Sequence, residues 1–491
     1  MDAPVPALAD RAEAAAARLR EADEVLLASH IDADGLTSAG IAATALERAD
    51  IPFEATFEKQ LDEAAIEAMA ESRFETVLFT DFGSGQLDVI ATYEEGGAFT
   101  PVIADHHQPA DADTRFHVNP LLEGIDGGGE LSGAGTTYVL ARALAASGES
   151  SPPGEGAGRS APEGAASEGN RDLAALAVVG AVGDMQTVDG ELIGANADIA
   201  AEGVAAGVLD TSQDLALYGT QTRPLPKLLE YASDVRIPGI SGDESGAVRF
   251  LEGLDLDLKE GGAWRTWADL PHEERQQVVS GLVRRAVRNG VPPGRVNQLV
   301  GTSYTLVREE KGTVLRDASE FSTLLNATAR YERADVGLAV CLGERGEPFA
   351  AARRLLQQHR RNLSAGLEWV RETGVTREAH VQWFHAEDDI RDTIVGIVAG
   401  MALGSDGVDR DRPIIGFAWK ADSPEETKVS ARGTGALVRR GLDLSAVMRE
   451  AARSVGGDGG GHTVAAGATV PRGSESAFVE AADELVGEQL G

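Results

Sequence analysis

Four short segments of the sequence carry acids and histidines at spacings suited to binding metal ions. SHIDADG (29–35) places His30, Asp32 and Asp34 at alternate positions directly after an apolar run. Alternate residues of an extended chain project to one side, so these three side chains converge on one point. The other three segments also follow apolar runs: TDFG (80–83) with Asp81, ADHH (104–107) with Asp105, His106 and His107, and GAVGD (180–184) with Asp184.

A set of carboxylates and imidazoles without a thiolate suits Mn²⁺ or Mg²⁺, and suits Zn²⁺ less well. There are too many candidate ligands for one ion, and their number suits two ions. Two ions roughly 3.5–4 Å apart activate a water and stabilise the entering and leaving oxygens of a phosphoryl displacement. Each Asp taken alone is equally typical of a turn or a helix cap. The prediction of a two-metal phosphoesterase site therefore depends on the four segments together.

A second set of candidate residues lies near the end of the chain. GGDGGGHTVAAG (456–467) predicts a loop whose backbone N–H groups close around a phosphate, although such a loop is also typical of a flexible turn. KVSARG (428–433) ends another apolar run, and arginine suits a bidentate phosphate contact. The candidate substrate-binding residues are Lys428, Arg432, Gly457, Gly459, Gly460, Gly461 and His462.

The elements that position the metal motifs follow from apolar patterning. We expect helices at 7–22 and 36–49 and strands at 24–29, 51–57, 76–80 and 100–104. Strands alternating with helices predict an α/β fold, with a parallel sheet covered by helices on both faces. Ligands of such sheets bind beyond the carboxyl ends of the strands, which is where the motifs fall.

The chain is long enough for three domains, which we place at 1–220 (catalytic), 221–375 (mostly helical) and 376–491 (α/β, substrate-binding), with the active-site cleft between the end domains. Gly148–Asn170 has no aliphatic core residue and predicts a flexible insertion. We also expect a hairpin at 304–318, and C-terminal strands at 380–384, 412–419, 427–431 and 462–470.

The charge balance is strongly acidic, with a formal net charge of -35 and only six lysines. This composition resembles that of proteins from salt-loving archaea, in which salt screens the self-repulsion. The alternative is an ordinary acidic protein that avoids polyanions. Three basic stretches, Arg275–Arg308, Pro348–Leu367 and Lys428–Arg453, suggest either phosphate contacts or solvated helix faces.

Localisation and redox chemistry are constrained by what the sequence contains. No apolar run reaches the roughly 20 residues of a membrane helix, and the acidic, helical N-terminus is unlike a signal peptide. Cys341 is the only cysteine, which excludes an internal disulfide and a zinc–thiolate site. We expect a cytoplasmic protein.

Taken in order, SHIDADG, TDFG, ADHH and GAVGD resemble the four motifs of the DHH phosphoesterase superfamily, and KVSARG and GGDGGGHTVAAG resemble its DHH-associated C-terminal domain. HVNP (117–120) and LSGAGTT (131–137) resemble segments of the RecJ exonuclease branch. LRDASEFSTLLNATAR (315–330) is similar to archaeal RecJ-like proteins, including the nuclease that associates with the GINS replication complex.

The resemblance implies a role for each metal-motif residue. His30, Asp32 and Asp81 would hold one ion, while Asp34, Asp81, His106 and Asp184 would hold the other. Asp105 would orient or join the ligands, and His107 would contact the scissile phosphate. One departure is Asp458, which stands where the family usually has glycine; an acid there weakens phosphate binding unless it points to solvent.

The function expected from these residues is a metal-dependent exonuclease on single-stranded DNA or RNA in DNA repair or replication, using Mn²⁺ by preference or Mg²⁺. One alternative is a phosphoesterase for short oligonucleotides, cyclic dinucleotides or pyrophosphate, which the long middle region disfavours. Another is a replisome scaffold without catalysis, which we would expect to have lost metal ligands. A nuclease that also joins the replisome through GINS stays open.

Overall fold

The computed structural model describes residues 3–146, 168–232, 235–405 and 407–491. The chain forms two compact units, Met1–Arg353 and Arg354–Gly491. The first unit contains the predicted catalytic domain and most of the predicted middle domain. The division into three domains, and the cleft between the end domains, stay predictions.

The first unit begins with a five-stranded, all-parallel sheet in the order β2-β1-β3-β4-β5. Its strands are β1 (Val25–His30), β2 (Phe53–Glu58), β3 (Thr76–Thr80), β4 (Thr100–Ala104) and β5 (His117–Val118). The central strand β3 is buried along its whole length, as expected for an apolar run covered on both faces.

Seven helices accompany this sheet: α1 (Ala9–Arg20), α2 (Ala33–Arg48), α3 (Glu63–Ala70), α4 (Leu87–Glu95), α5 (Gly133–Ala146), α6 (Ala174–Gly183) and α7 (Gly194–Ala205). One apolar cluster joins the sheet to α1, α2, α5, α6 and α7, and a second joins it to α3 and α4. The predicted parallel sheet with helices on both faces is therefore confirmed. Alanines supply much of the helix packing, which compensates for the scarcity of aromatic residues.

The predicted insertion Gly148–Asn170 lies mostly outside the described residues. Its last three residues, 168–170, are described, and Gly169 and Asn170 have left-handed backbone conformations, with φ at 69° and 59°. Asn170 is buried, accepts a hydrogen bond from Arg48 Nη1 at 2.8 Å, and donates one to the Ala141 carbonyl at 2.8 Å. The prediction was therefore wrong at its C-terminal end, because a polar residue with satisfied hydrogen bonds packs there without aliphatic neighbours of its own.

The rest of the first unit is mostly helical, as predicted. Its elements are β6 (Thr187–Val188), β7 (Glu191–Leu192), β8 (Leu209–Leu215), α8 (Leu225–Glu230), α9 (Glu244–Glu252), β9 (Lys259–Glu260), β10 (Ala263–Trp264), α10 (His272–Arg288), α11 (Pro293–Asn297), β11 (Val300–Leu306), α12 (Ala318–Arg330) and α13 (Ala334–Cys341). A separate apolar cluster around Trp267 packs α8, α9 and α10 together.

The predicted hairpin at 304–318 is wrong. β11 pairs antiparallel with β8 along its whole length, from Val300 opposite Leu215 to Leu306 opposite Leu209. Only an isolated bridge joins Thr305 to Asp317. Residues 314–316 form a 3-10 helix that leads into α12. The sequence pattern of 304–318 identified the strand but not its distant partner.

The second unit is built on a mixed six-stranded sheet in the order β12-β13-β14-β15-β17-β16. From α14 onward the elements are α14 (Glu347–Thr373), β12 (Thr376–Arg377), β13 (Gln382–His385), α15 (Val395–Ala402), β14 (Ile414–Trp419), β15 (Glu426–Arg432), α16 (Gly435–Arg439), α17 (Leu444–Ser454), β16 (Asp458–Gly461), β17 (Ala465–Pro471) and α18 (Glu475–Leu490). Separate apolar clusters cover the two faces of the sheet, one with α17 and α18 and the other with α15.

The glycine-rich segment at 456–467 is not the loop that we predicted. Asp458–Gly461 forms the edge strand β16, which pairs antiparallel with β17. A side chain at Gly459 would place its Cβ 2.6 Å from the Met448 carbonyl of α17, so glycine lets this strand lie against the helix. Among the described helices of both units, none combines the length and apolar character needed to cross a membrane.

Candidate metal centre

The eight metal-motif residues lie at the carboxyl ends of the elements that precede them. β1 ends at His30, β3 ends one residue before Asp81, β4 ends one residue before Asp105, and α6 ends one residue before Asp184. Their ligand atoms form three overlapping groups in which all atoms lie within 4.8 Å of one another. The groups are His30, Asp32 and Asp81; Asp34, His106 and Asp184; and Asp81, Asp105, His106 and His107.

The first group sits at the open side of the cluster. His30 Nδ1 lies 3.2 Å from Asp32 Oδ1 and 3.4 Å from Asp81 Oδ2. The side chains of His30 and Asp32 are 29% and 40% exposed, whereas that of Asp81 is 2% exposed. The side chains of Asp184 and His107, 34% and 56% exposed, also open the cluster to solvent.

The second group surrounds the buried ring of His106. Its Nε2 atom lies 3.3 Å from Asp81 Oδ1, 3.9 Å from Asp34 Oδ2 and 3.9 Å from Asp184 Oδ2. His106 Nδ1 lies 2.6 Å from the Gly127 carbonyl, which can only accept a hydrogen bond. Nδ1 therefore carries a proton, and Nε2 faces the three carboxylates as the nitrogen available to a metal ion.

Asp81 lies at the centre of the cluster, and its backbone is left-handed, with φ at 61°. This conformation is uncommon for residues other than glycine, and Asp is among the side chains that tolerate it best. The Asp81 N–H donates to the Ala104 carbonyl at 3.0 Å, which extends the β3–β4 pairing by one residue. The turn directs the carboxylate back over the ends of both strands.

Asp34 is held by the beginning of α5. Its two carboxylate oxygens accept hydrogen bonds from the N–H groups of Gly133, at 2.7 Å, and Ala134, at 3.0 Å. The positive end of the helix dipole stabilises a negative charge there. A Cβ at Gly133 would come within 2.3 Å of Asp81 Oδ1, so only glycine fits between α5 and the cluster.

Two atoms at the centre of the cluster have no hydrogen-bond partner among the described residues: Asp81 Oδ1 and His106 Nε2. Both are buried, and an unsatisfied buried polar atom is costly. A carboxylate oxygen and an imidazole nitrogen facing each other at 3.3 Å are the donor pair that a divalent cation would bridge. The residues present therefore fit a metal ion at this position.

The electrostatics of the cluster also favour a cation. Burial, together with the charges of Asp81 and Asp184, raises the pKa of Asp34 well above its usual value. Burial and the charge of Asp81 likewise raise the pKa of Asp184, although His106 opposes the shift. Burial by itself lowers the pKa of His106, but Asp81 and Asp34 raise it well above its usual value. Carboxylates that repel one another are stabilised by a positive charge between them.

His30 and Asp32 form a complementary pair at the open side. Burial lowers the pKa of His30, but the Asp32 and Asp81 carboxylates overcome this and raise it to about 11. Burial raises the pKa of Asp32, but His30 and the Gly35 N–H, which donates to Asp32 at 3.0 Å, hold it well below its usual range. Without a metal, a proton on His30 partly neutralises this side of the cluster.

Asp105 has a different environment from the other acids. Its Oδ1 accepts hydrogen bonds from the N–H groups of His106, at 2.7 Å, and His107, at 3.2 Å, and its Oδ2 accepts one from the Ser84 N–H at 2.9 Å. His107 Nδ1 also lies 2.8 Å from Asp105 Oδ1. The carboxylate is thereby saturated, so its geometry suits orienting the DHH segment. The His107 side chain is 56% exposed and leaves its Nε2 atom for a substrate.

A second layer of polar residues holds this segment from behind. Asn119 Nδ2 donates to the His107 carbonyl and to Ser84 Oγ, both at 2.9 Å. Ser84 Oγ also lies 2.9 Å from His117 Nε2. Gln186 Nε2 donates to Asp184 Oδ2 and to the Gly127 carbonyl, both at 2.8 Å. Sequence reasoning singled out HVNP (117–120) by resemblance but gave His117 and Asn119 no role.

Helix α12 contributes to the centre from far along the sequence. Asn326 Oδ1 accepts a hydrogen bond at 3.1 Å from the N–H of Ala33, which lies between Asp32 and Asp34. Arg330, one turn further along α12, is close enough for its charge to lower the pKa of Asp32. The resemblance draws attention to the segment 315–330, but its sequence gives no signal that it reaches the metal motifs.

The C-terminal candidates are placed as follows. Lys428 and Arg432 lie on one face of β15, and Arg432 Nη1 donates to the Ala431 carbonyl at 2.8 Å. His462 is exposed in the turn between β16 and β17, where its N–H donates to the Ala465 carbonyl at 2.9 Å. The side chain of Asp458 is 84% exposed and therefore lies in solvent, which answers the concern raised by this acid. Three of the candidate glycines lie in β16, namely Gly459, Gly460 and Gly461, and Gly457 directly precedes this strand.

Comparisons with known proteins concern the domains and the fold of the chain. Residues 217–300 match the DHH-CID domain, and residues 378–488 match the DHHA1 domain. An uncharacterized protein of Methanocaldococcus jannaschii is 29% identical over 470 residues, which cover 94% of this chain and 93% of the relative. Two segments of the chain are therefore similar to domains of the DHH superfamily, and the fold is that of RecJ-like structures.

Solved structures show the same fold. RecJ of Thermus thermophilus in complex with Mn²⁺ has a TM-score of 0.59 and 18% identity, and it covers 99% of this chain, which spans only 55% of that protein. An exonuclease RecJ bound to manganese has a TM-score of 0.58 and 17% identity, with 98% of this chain and 95% of that chain covered. CDC45 of Entamoeba histolytica has a TM-score of 0.65 and 12% identity, with 98% and 99% covered.

Proposed function

We propose that this protein is a metal-dependent phosphodiesterase that removes nucleotides from single-stranded DNA or RNA. The proposal rests on the overlapping groups of metal-binding side chains at one sheet edge, in which the unsatisfied Asp81 Oδ1 atom lies 3.3 Å from His106 Nε2. Four separate segments deliver complete ligand sets to one sheet edge. A scaffold without catalysis would not need such a set.

The metal ligands are divided between two cations, Mn²⁺ by preference or Mg²⁺. His30, Asp32 and Asp81 would hold one, and Asp34, Asp81, His106 and Asp184 would hold the other. The cations would supply activation of water and neutralisation of charge on the phosphate. The fold that this chain shares with two RecJ structures containing Mn²⁺ supports this arrangement.

The chain's own residues orient the substrate. Asp105 fixes the ring of His107 through its Nδ1 atom, which leaves Nε2 to donate a hydrogen bond to the scissile phosphate or to protonate the leaving oxygen. In the second unit, Lys428 and Arg432 on β15 and His462 in the β16–β17 turn are side chains suited to contacts with phosphates. We propose roles for this activity in DNA repair or replication, with GINS as a candidate partner.

The test is an assay with end-labelled oligonucleotides. Single-stranded DNA and RNA, labelled at either end, are incubated in molar salt with Mn²⁺, with Mg²⁺, or with EDTA. We expect mononucleotide release that requires a metal and that is slower on a duplex. Cyclic dinucleotides, dinucleotides and pyrophosphate in the same series test the small-substrate alternative. If only these small substrates are hydrolysed and the oligonucleotides stay intact, the small-substrate alternative would replace the exonuclease proposal.

A further inference from the structure

The residue that follows Asp184 has an unusual backbone. Helix α6 ends with Met185 N–H donating to the Val182 carbonyl at 3.2 Å and Gln186 N–H donating to the Ala181 carbonyl at 3.0 Å. This pair of bonds closes a left-handed turn in which glycine is preferred. The residue in the glycine position is Met185, with φ at 57°.

The turn positions a buried glutamine beside Asp184. It reverses the chain so that Gln186, which is buried, donates to Asp184 Oδ2 at 2.8 Å and accepts a hydrogen bond from Asn196 Nδ2 at 2.7 Å. Glycine would make this turn with less strain, and asparagine is the usual substitute. The turn alone therefore does not explain why the residue at position 185 is methionine.

The side chain of Met185 is the feature that needs an explanation. Met185 is 85% exposed, more than any other large apolar residue in the described part of the chain. Val188 and Ile193, in the same nine-residue segment, are 47% and 38% exposed. Met185 directly follows the candidate metal ligand Asp184, in a protein whose composition is strongly acidic.

We propose that Met185 packs against the nucleobase of the nucleotide whose phosphate lies at the metal centre. The inference rests on the proposed function and names the part of the substrate that this segment contacts. A nucleobase has an apolar, polarizable face, and a thioether contacts such faces favourably. Bases in a duplex are stacked and paired, so this contact also favours a single strand.

The test is a thermodynamic cycle between the side chain and the base. Wild type, Met185→Gly and Met185→Leu are assayed with Mn²⁺ on a single-stranded oligonucleotide and on the same strand with abasic terminal nucleotides. We expect the abasic change to lower kcat/KM of the wild type about fivefold, the scale of one thioether–aromatic contact. In Met185→Gly the two substrates should differ less than about twofold, and Met185→Leu should keep most of the discrimination.

Controls separate this role from damage to the fold. Met185→Gly should melt no lower than the wild type, because glycine suits the left-handed turn, and its Mn²⁺ affinity should be unchanged. Val287→Ala, at another exposed apolar residue, should leave the cycle unaltered. An abasic penalty in Met185→Gly equal to that of the wild type would overturn the inference while leaving the exonuclease intact. A wild type that does not cleave the strand would overturn both.

Discussion

The metal-motif region and the glycine-rich C-terminal region hold their candidate residues in opposite ways. Asp34, Asp81 and Asp105 are buried, and backbone N–H groups from distant segments fix the carboxylates of Asp34 and Asp105. Asp458 is exposed in an edge strand, and His462 is exposed in the turn that follows it. In the first region a Cβ added at Gly133 would collide with the Asp81 side chain, whereas in the second one added at Gly460 would have no atom within 4 Å, although one at Gly459 would meet the backbone of α17.

Because of this difference, we expect the two regions to respond differently to mutation. Buried carboxylates that repel one another depend on geometry to within fractions of an ångström, so small steric changes should disturb them. Exposed basic groups bind phosphate through charge, which tolerates displacement but depends on salt. The predictions below test that contrast.

The largest effect is expected at Asp81. Asp81→Asn keeps the size of the side chain and its tolerance of the left-handed backbone, but it removes the charge shared by two groups of ligands. We expect kcat to fall at least about a thousandfold, because loss of a shared metal ligand removes several kcal/mol of transition-state stabilisation. Asp88→Asn, an equal change of charge at an exposed site, should keep full activity. Substantial turnover by Asp81→Asn would contradict the two-metal proposal.

The next largest effect is expected when a single methyl group is added at a glycine of each region. In Gly133→Ala the new Cβ would lie 2.3 Å from Asp81 Oδ1, whereas in Gly460→Ala it meets nothing within 4 Å. We expect Gly133→Ala to weaken Mn²⁺ binding about 10- to 100-fold, the usual scale for disturbing the surroundings of ligands. Gly460→Ala should bind Mn²⁺ as the wild type does. Calorimetric titration measures both, and equal affinities would remove the contrast in packing.

A pH dependence of stability should arise from His117. Burial and the nearby charge of Arg11 lower the pKa of this histidine to about 4, from an ordinary value near 6.5. The unfolded state therefore takes up a proton before the folded state does, and stability falls as the pH drops from 6.5 to 4. Between pH 7 and pH 5 this amounts to about 2 kcal/mol.

The matching variant is His117→Gln, which lacks this titration. Urea unfolding of both proteins across this pH range should show the advantage of the wild type shrinking as the pH falls. If the difference between the two unfolding free energies is the same at pH 7 and pH 5, the folded state does not hold His117 neutral.

The smallest of the four effects is expected at Arg432. Arg432→Ala should raise KM for single-stranded DNA about fivefold, as expected for one charge-assisted phosphate contact, with Mn²⁺ affinity unchanged. Arg432→Lys should restore part of the loss, since an ammonium lacks the planar fork. Arg371→Ala, at an exposed arginine of α14, is the control. Loss of Mn²⁺ along with activity would make Arg432 a structural support instead.

The sequence predicted the metal-motif region well because its signals are local. Strand β3 (Thr76–Thr80) and strand β4 (Thr100–Ala104) begin and end where the apolar runs do, and each metal motif follows directly. The parallel sheet then brings the motifs together with no further information. The predicted ligands thus depend on adjacent sequence and one general rule of sheet topology.

What the sequence could not predict depends on long-range contacts. The pairing of β8 with β11, the bond from Asn326 to Ala33 and the position of Gly133 against Asp81 each join segments distant in the chain. β16 was missed for a different reason. Glycine has low strand propensity, and the pairing with β17 together with the contact of Gly459 with α17 explains why the segment 458–461 is extended.

The hydrogen bond between Ala33 and Asn326 spans 293 positions of the chain, and it has a consequence for biosynthesis. At the ribosome, roughly 5–20 residues are added each second, so the loop that carries Asp32 and Asp34 emerges about 15–60 s before α12 can reach it. During that interval the nascent sheet has its acids close together but lacks the helix that secures them. A metal ion that reached the chain in that interval would meet an incomplete site, and translation of α12, late in the first unit, would decide when this loop is secured.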